Sequence, residues 1–282
     1  MGIIKGKVGN LKKKLLITMG CSHTEGLGCW DMTLNYPPRM TAQHPSFGEW
    51  IHVNKNRFHK LGWPNRLGKK LGYDKVMNLG FAGSATSAQM KTFLLKFKDA
   101  SLSEYDVTIV WLFTDSLRTS YFRNGIIESL LPSNHTLDKD IMFQDVYKFI
   151  SKKGERSDVD TMLDYIREEY INRSVVKTIS ELKNWNFISF HTRTHHYGNE
   201  INKIYGNDNT HFFGDVGFSR ENDEELISKM CGHFNEKGYE MIANNMYQFI
   251  NNNHPNLMGK TPKNEIESTW IGESSFDLIT KY

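Results

Sequence analysis

The sequence predicts a doubly wound α/β fold, a mostly parallel sheet covered by helices on both faces, and three observations predict it. Short apolar runs at 15–19, 75–80 and 186–192 alternate with stretches of helical period, the alternation that builds βαβ units. The run 106–113, DVTIVWLF, is almost continuously apolar and β-branched, as a central strand buried on both faces requires. No Pro- or Gly-rich linker interrupts the series, so one domain is expected over residues 1–253, followed by a C-terminal tail at 254–282.

Each element has its own reason. Residues 1–13 are rich in Gly and Lys and read as a loose leader or edge. The first strand, Leu15 to Met19, lies between Lys12-Lys13-Lys14 and Gly20, and Ser22 falls just past its end. A long connection at 27–56 carries Trp30, Pro37, Pro38, Pro45 and Trp50, too rich in proline and aromatics for a plain loop, and reads as a pocket wall. Trp63-Pro64 opens a short helix that ends near Gly72. The second strand, 75–80, leads into a helix with Met90, Phe93, Leu94 and Phe97 on one stripe and Ser84, Thr86 or Ser87 as its N-cap. The third strand ends at Thr114-Asp115, where Asp115 reads as a cap or hydrogen-bond acceptor.

Residues 116–156 show only a weak helical period, around 142–150. Ser157 then caps a long helix with Val159, Leu163, Ile166, Tyr170 and Ile171 at its apolar positions, continuing towards Leu182. The fourth strand is 186–192, and 193–230 is a second polar, aromatic insertion. Asn235 caps a final helix that presents Tyr239, Ile242, Ala243, Met246, Phe249 and Ile250 on one face. The expected strand order is 2-1-3-4.

Composition bounds the function. With 282 residues and a net charge of +3, no polyanion partner is implied, and nucleic acid is not expected. No apolar stretch approaches the 18 residues of a membrane span and no signal peptide is recognisable, so synthesis in the cytoplasm is expected. Three cysteines, Cys21, Cys29 and Cys231, cannot form a disulfide framework, which fits a reducing compartment.

Four positions fall just beyond core elements: Ser22 after the first strand, Gly83 after the second, Thr114 after the third and His233 before the last helix. In an open parallel sheet these points converge at the carboxyl end of the strands. Ester hydrolysis needs a nucleophile, a base to take its proton and donors for the oxyanion. Ser22 can supply the first, His233 the second, and the backbone N–H groups of Ser22 and Gly83 the third. A lone serine after a strand is more often a helix N-cap, so the combination carries the reading.

The same residues match a family. GCSHTEG resembles the GDSxTxG block of the SGNH (GDSL-type) hydrolases, NLGFAGSA their NxGxxG block, and GHFNEKGYEMIANNM the block that holds their histidine. The resemblance covers about residues 14–250. It implies a three-layer α/β/α, flavodoxin-like sandwich, Ser22 as nucleophile, Gly83 as oxyanion donor and His233 as base, with no cofactor or metal. Members this divergent are common among tailed-phage proteins, a hint about source; the tail at 254–282 has no clear period and is expected to wrap the surface or to meet an oligomeric or virion partner.

Three departures from the family pattern matter. Cys21 replaces the aspartate of GDS. Thr114 stands where the family has an asparagine oxyanion donor, and loss of one such donor typically costs about 3 kcal/mol of transition-state stabilisation. Met230 or Cys231 stands where the family has the triad aspartate, so either a backbone carbonyl or another acid, with Asp223 and Asp215 as candidates, takes its place, or the enzyme is slow or inactive. The implied activity is an esterase acting on a small ester or an esterified polysaccharide such as an O-acetylated glycan. An inactive structural or glycan-binding module and an acyltransferase are its alternatives.

The same segments have a rival use. Cys21 with His23, and Cys231 with His233, form two C-x-H pairs that could bind a metal if both were extended and Ser22 pointed away, although zinc sites more often use wider spacings. His191, His195, His196 and His211 form another possible ligand group, more commonly solvated on a polar insertion. Trp30, Trp50, Phe212 and Phe213 are candidates to line an acyl or sugar pocket, or to pack the long loops.

Overall fold

The computed structural model describes residues 12–29, 58–81, 84–113, 171–190 and 233–271, and the backbone of 119–123, 126–130, 191 and 212–213. Its centre is a six-stranded, all-parallel sheet formed by β1 (Lys13–Met19), β2 (Lys75–Asn78), β3 (Tyr105–Phe113), β6 (Asn186–His191), β7 (Phe212–Phe213) and β8 (Glu267–Trp270). The spatial order is β7-β6-β3-β1-β2-β8. The expected order of the four predicted strands is found as β2-β1-β3-β6, with one further strand at each edge. β4 (Thr119–Arg123) and β5 (Ile126–Leu130) form a separate antiparallel hairpin within the stretch where no element was expected.

Strand periodicity divides the core into two layers, because successive side chains point to opposite faces. On one face Leu16, Val110 and Leu112 pack with Trp63 and Leu67 of α2 (Trp63–Leu71) and with Ile242 and Met246 of α5 (Glu236–Asn253). On the other, Leu15, Ile17, Met19, Ile109 and Trp111 meet Phe93 and Phe97 of α3 (Thr86–Phe97) and Val176 of α4, helical over 171–182. Trp111 is fully buried, and its indole N–H donates to Gln89 Oε1 at 2.7 Å, so the polar atom is satisfied inside the core. With helices on both faces and parallel strands between, the molecule is the expected α/β sandwich.

Several local expectations change. The N-cap of α3 is Ala85, with no side-chain cap bond, and none of Ser84, Thr86 or Ser87 fills that role. Ser84 lies one position too early, and its hydroxyl donates instead to Phe81 O at 2.9 Å and lies 3.3 Å from Gly20 O. Ile171 is 51 % exposed, because the buried side of α4 runs through Asn172, Arg173 and Val176. Ser157 and the helix start lie outside the described residues. The chain after 253 does not all form an appendage: 267–270 pairs with β2 as an edge strand, and the Lys75 ammonium meets the Glu267 carboxylate across that pair. Among the described residues no helix is long and apolar enough to cross a membrane.

Helices α2 and α5 are also joined by charge. Arg66 donates to Glu240 at 2.5 Å and lies 3.5 Å from Glu236, while Lys70 reaches Glu240 at 2.7 Å. Burial alone would raise the Glu240 pKa, but hydrogen bonds from Lys70 and Arg66 and their positive charge outweigh it and hold the carboxyl below its ordinary range. A folded-state pKa below the unfolded one stabilises the fold above the unfolded value, and that contribution disappears as pH falls through the folded value. Thermal melts from neutral to acid pH should therefore show Glu240→Gln less stable than the parent at neutral pH, with the gap closing below the ordinary carboxylate range.

Candidate functional site

The sheet order locates a crevice. From β1 the chain crosses to β2 on one side, then returns past β1 to β3 on the other, so the carboxyl end of β1 is the topological switch point where a ligand-sized gap opens. β1 ends at Met19, and after Gly20 the chain folds into the one-turn helix α1 (Ser22–Glu25). The Cys21 carbonyl accepts the N–H groups of Thr24 and Glu25 at 2.9 and 3.0 Å. Cys21 is the N-cap of α1 and makes no side-chain cap bond. Ser22 is therefore the first helical residue and not the cap, and its hydroxyl is released for another use. Among the described residues its backbone N–H has no acceptor, as expected at the start of a helix.

That hydroxyl meets His233. Ser22 Oγ lies 2.8 Å from His233 Nε2, across 211 residues of sequence, and Ser22 is only 3 % exposed. His233 stands two residues before Asn235, the N-cap of α5, whose side chain accepts the Gly238 N–H at 3.1 Å as expected. The cap fixes where the helix starts and thereby where the imidazole stands. The ring is flanked by His23, at 5.1 Å between centroids, and His23 in turn packs on Phe234.

Two further contacts lock the two loops together and two more brace α1 from behind, and none was singled out from sequence for this role. Tyr239, fully buried on α5, donates its hydroxyl to Leu27 O at 2.7 Å. Gly28 adopts φ +101°, and a Cβ there would lie 2.9 Å from His233 Cβ and nearer still to Phe234 O. Asn78, at the end of β2, donates to Thr24 O at 2.8 Å and accepts the Gly80 N–H at 2.8 Å, which braces the back of α1. Gly80 runs so close to α1 that a Cβ would fall 2.6 Å from the Thr24 carbonyl carbon. On the far side, the Trp270 indole donates to Gly80 O at 2.8 Å while its ring stacks on His59, so the C-terminal segment reaches the rim of the site. A polar asparagine closing the strand KVMN was the one visible signal. Its partner, 54 residues away, was not.

Replacing Asn78 by alanine leaves the buried Thr24 carbonyl and Gly80 N–H without their partner, which should cost about 1–3 kcal/mol. Differential scanning calorimetry should register this as a melting point lowered by roughly 2–4 °C per kcal/mol.

Of the residues nominated from sequence, Ser22 and His233 are brought together. Gly83, Thr114, Asp115, Asp215 and Asp223 lie outside the described residues, as do Trp30, Trp50, His195, His196, His211 and Cys231. The metal reading required extended backbone at 21–23 with Ser22 turned away. The structure has a helical turn there, with Ser22 facing His233, because α1 begins at that residue.

No protein-family model and no curated protein matches the chain. Among solved structures it is similar to a presumptive lipolytic protein of the G-D-S-L family from Desulfitobacterium hafniense DCB-2, at 13 % identity and a TM-score of 0.39, over 84 % of this chain and 99 % of the other.

Proposed function

We propose that the protein is a serine esterase of the SGNH (GDSL) type. The observation that carries this is the 2.8 Å approach of His233 Nε2 to the buried hydroxyl of Ser22 at the switch point of a parallel sheet. An imidazole at that distance can take the hydroxyl proton as the oxygen attacks an ester carbonyl, and can return it to the departing alkoxide. The tetrahedral oxyanion is received by the Ser22 N–H and the Gly83 N–H, with the Thr114 hydroxyl as a weaker third donor. The leaving alcohol departs, water takes its place against His233, and a second tetrahedral intermediate collapses to release the acid and regenerate Ser22. Asp223 or Asp215 serves as the acid partner, and the substrate is an acyl ester, such as an O-acetyl group on a glycan.

The test is direct. Incubation of the full chain with a fluorophosphonate probe should label Ser22, mapped by mass spectrometry, and p-nitrophenyl acetate should be hydrolysed. Both signals should vanish in Ser22→Ala. Absence of labelling in the parent protein would favour a non-catalytic module on the same scaffold.

A further inference from the structure

We infer that the groove between α2 and α5 is a binding subsite for an acidic polysaccharide, an inference that rests on the esterase reading for what the polymer is bound for. The groove encloses about 310 Å³ and is lined by Lys60, Arg66, Lys69, Lys70 and Lys263, with Glu240 as the one carboxylate among its described lining residues. That carboxylate is already shared by Arg66 and Lys70. Lys263 pairs with Asp74 outside the groove. Lys60 and Lys69 have no carboxylate partner among the described residues, so the cleft carries uncompensated positive charge.

Arg66 is also held in place. Arg66 donates through Nε to Leu61 O at 2.7 Å while its other nitrogens face Glu240 and Glu236, so the guanidinium is ordered before any ligand arrives. Its side chain is 22 % exposed and that of Lys70 30 %, and charge at the mouth of a cleft acts on an approaching anion more strongly than the same charge fully in solvent.

Position ties the groove to the site. Lys60 and Leu61 belong to the helical turn that packs on Gly26, the residue that ends α1: a Cβ at Gly26 would lie 3.2 Å from the Gly62 Cα. Glu240 stands one turn into α5, which starts three residues after His233. Both walls are thus continuations of the elements that carry Ser22 and His233. Among the described residues the apolar lining is Leu61 and Pro262, with no aromatic ring on which a base could stack, which favours a glycan bearing carboxylates or sulfates over a single-stranded nucleic acid.

The experiment uses the full chain with polygalacturonate as probe, neutral dextran and an oligothymidylate of similar length as comparators, and isothermal titration calorimetry at about 20 and 200 mM salt. Polygalacturonate should bind at low salt and dextran should not. Lys60→Glu/Lys69→Glu should weaken binding at least about ten-fold while fluorophosphonate labelling of Ser22 and the melting point stay at parental values. Equal binding by parent and double variant, no binding of polygalacturonate by the parent, or tighter binding of the oligonucleotide would each overturn the subsite. Salt-sensitive binding lost in the double variant, together with no labelling of Ser22, would leave the subsite standing and remove the esterase instead.

Discussion

Replacing His233 by alanine should lower ester turnover by about four powers of ten or more, while the folded protein persists. The Ser22 hydroxyl is buried and has His233 Nε2 at 2.8 Å. Cys21 Sγ, at 3.9 Å, is only a weak acceptor. On the proposed mechanism, Ser22 without the imidazole would attack as a neutral alcohol and the departing alkoxide would receive no proton, so both halves of the reaction would slow. Because His233 lies outside both core layers, its loss should cost no more than about 1 kcal/mol of stability. Steady-state hydrolysis of p-nitrophenyl acetate, read beside a thermal melt, separates the two effects. Turnover within ten-fold of the parent in a folded His233→Ala protein would remove the histidine from the chemistry.

Gly28→Ala should produce the second large effect, and on both readouts. At φ +101° an L side chain is strained by about 1–3 kcal/mol before any contact is considered. The added methyl would also meet the Phe234 carbonyl oxygen and, at 2.9 Å, His233 Cβ, neither of which is the far end of a flexible side chain. Relief requires the segment 233–234 to move away from the loop that follows α1, and that motion lengthens the Ser22 to His233 distance. A misplacement of about 1 Å can cost a hundred-fold in rate, so kcat should fall by about that factor and the melting point should drop as well. Tyr239→Phe tests the same junction without steric load. It leaves the Leu27 carbonyl without its donor, costing about 1–3 kcal/mol of stability with a smaller loss of kcat. A Gly28→Ala enzyme with parental kcat would show that the close approach of these loops is incidental to catalysis.

The core was legible in the sequence because burial writes itself locally. Leu15, Leu16 and Ile17 between three lysines and Gly20, the almost continuous apolar run at 107–113 and the stripe from Tyr239 to Ile250 each bury through their own neighbours, and all three are core elements. From those elements follow the strand order around β1 and the meeting of Ser22 with His233. The edges were not legible. β7 is two residues long, and β8 is half-exposed along ESTW, so neither needs an apolar period; each is recruited by backbone pairing to a strand already formed. The β4–β5 hairpin did leave a trace, the Asn124-Gly125 dipeptide between its strands, a turn signal that the weak patterning around it obscured.

By itself, then, the sequence determined the class of fold, the central strands and the two side chains whose chemistry is at issue, since hydrophobic period and residue type are properties of neighbours along the chain. Only the tertiary structure decided what holds those two side chains in register: the Asn78 brace on α1, the Tyr239 bond to Leu27 and the room that Gly28 leaves beside His233. It also decided where charge collects. A net +3 averages over the whole surface, whereas Lys60, Arg66, Lys69 and Lys70 from one stretch of chain meet Lys263 from the C-terminal segment at one groove, and convergence of distant segments is what folding alone supplies.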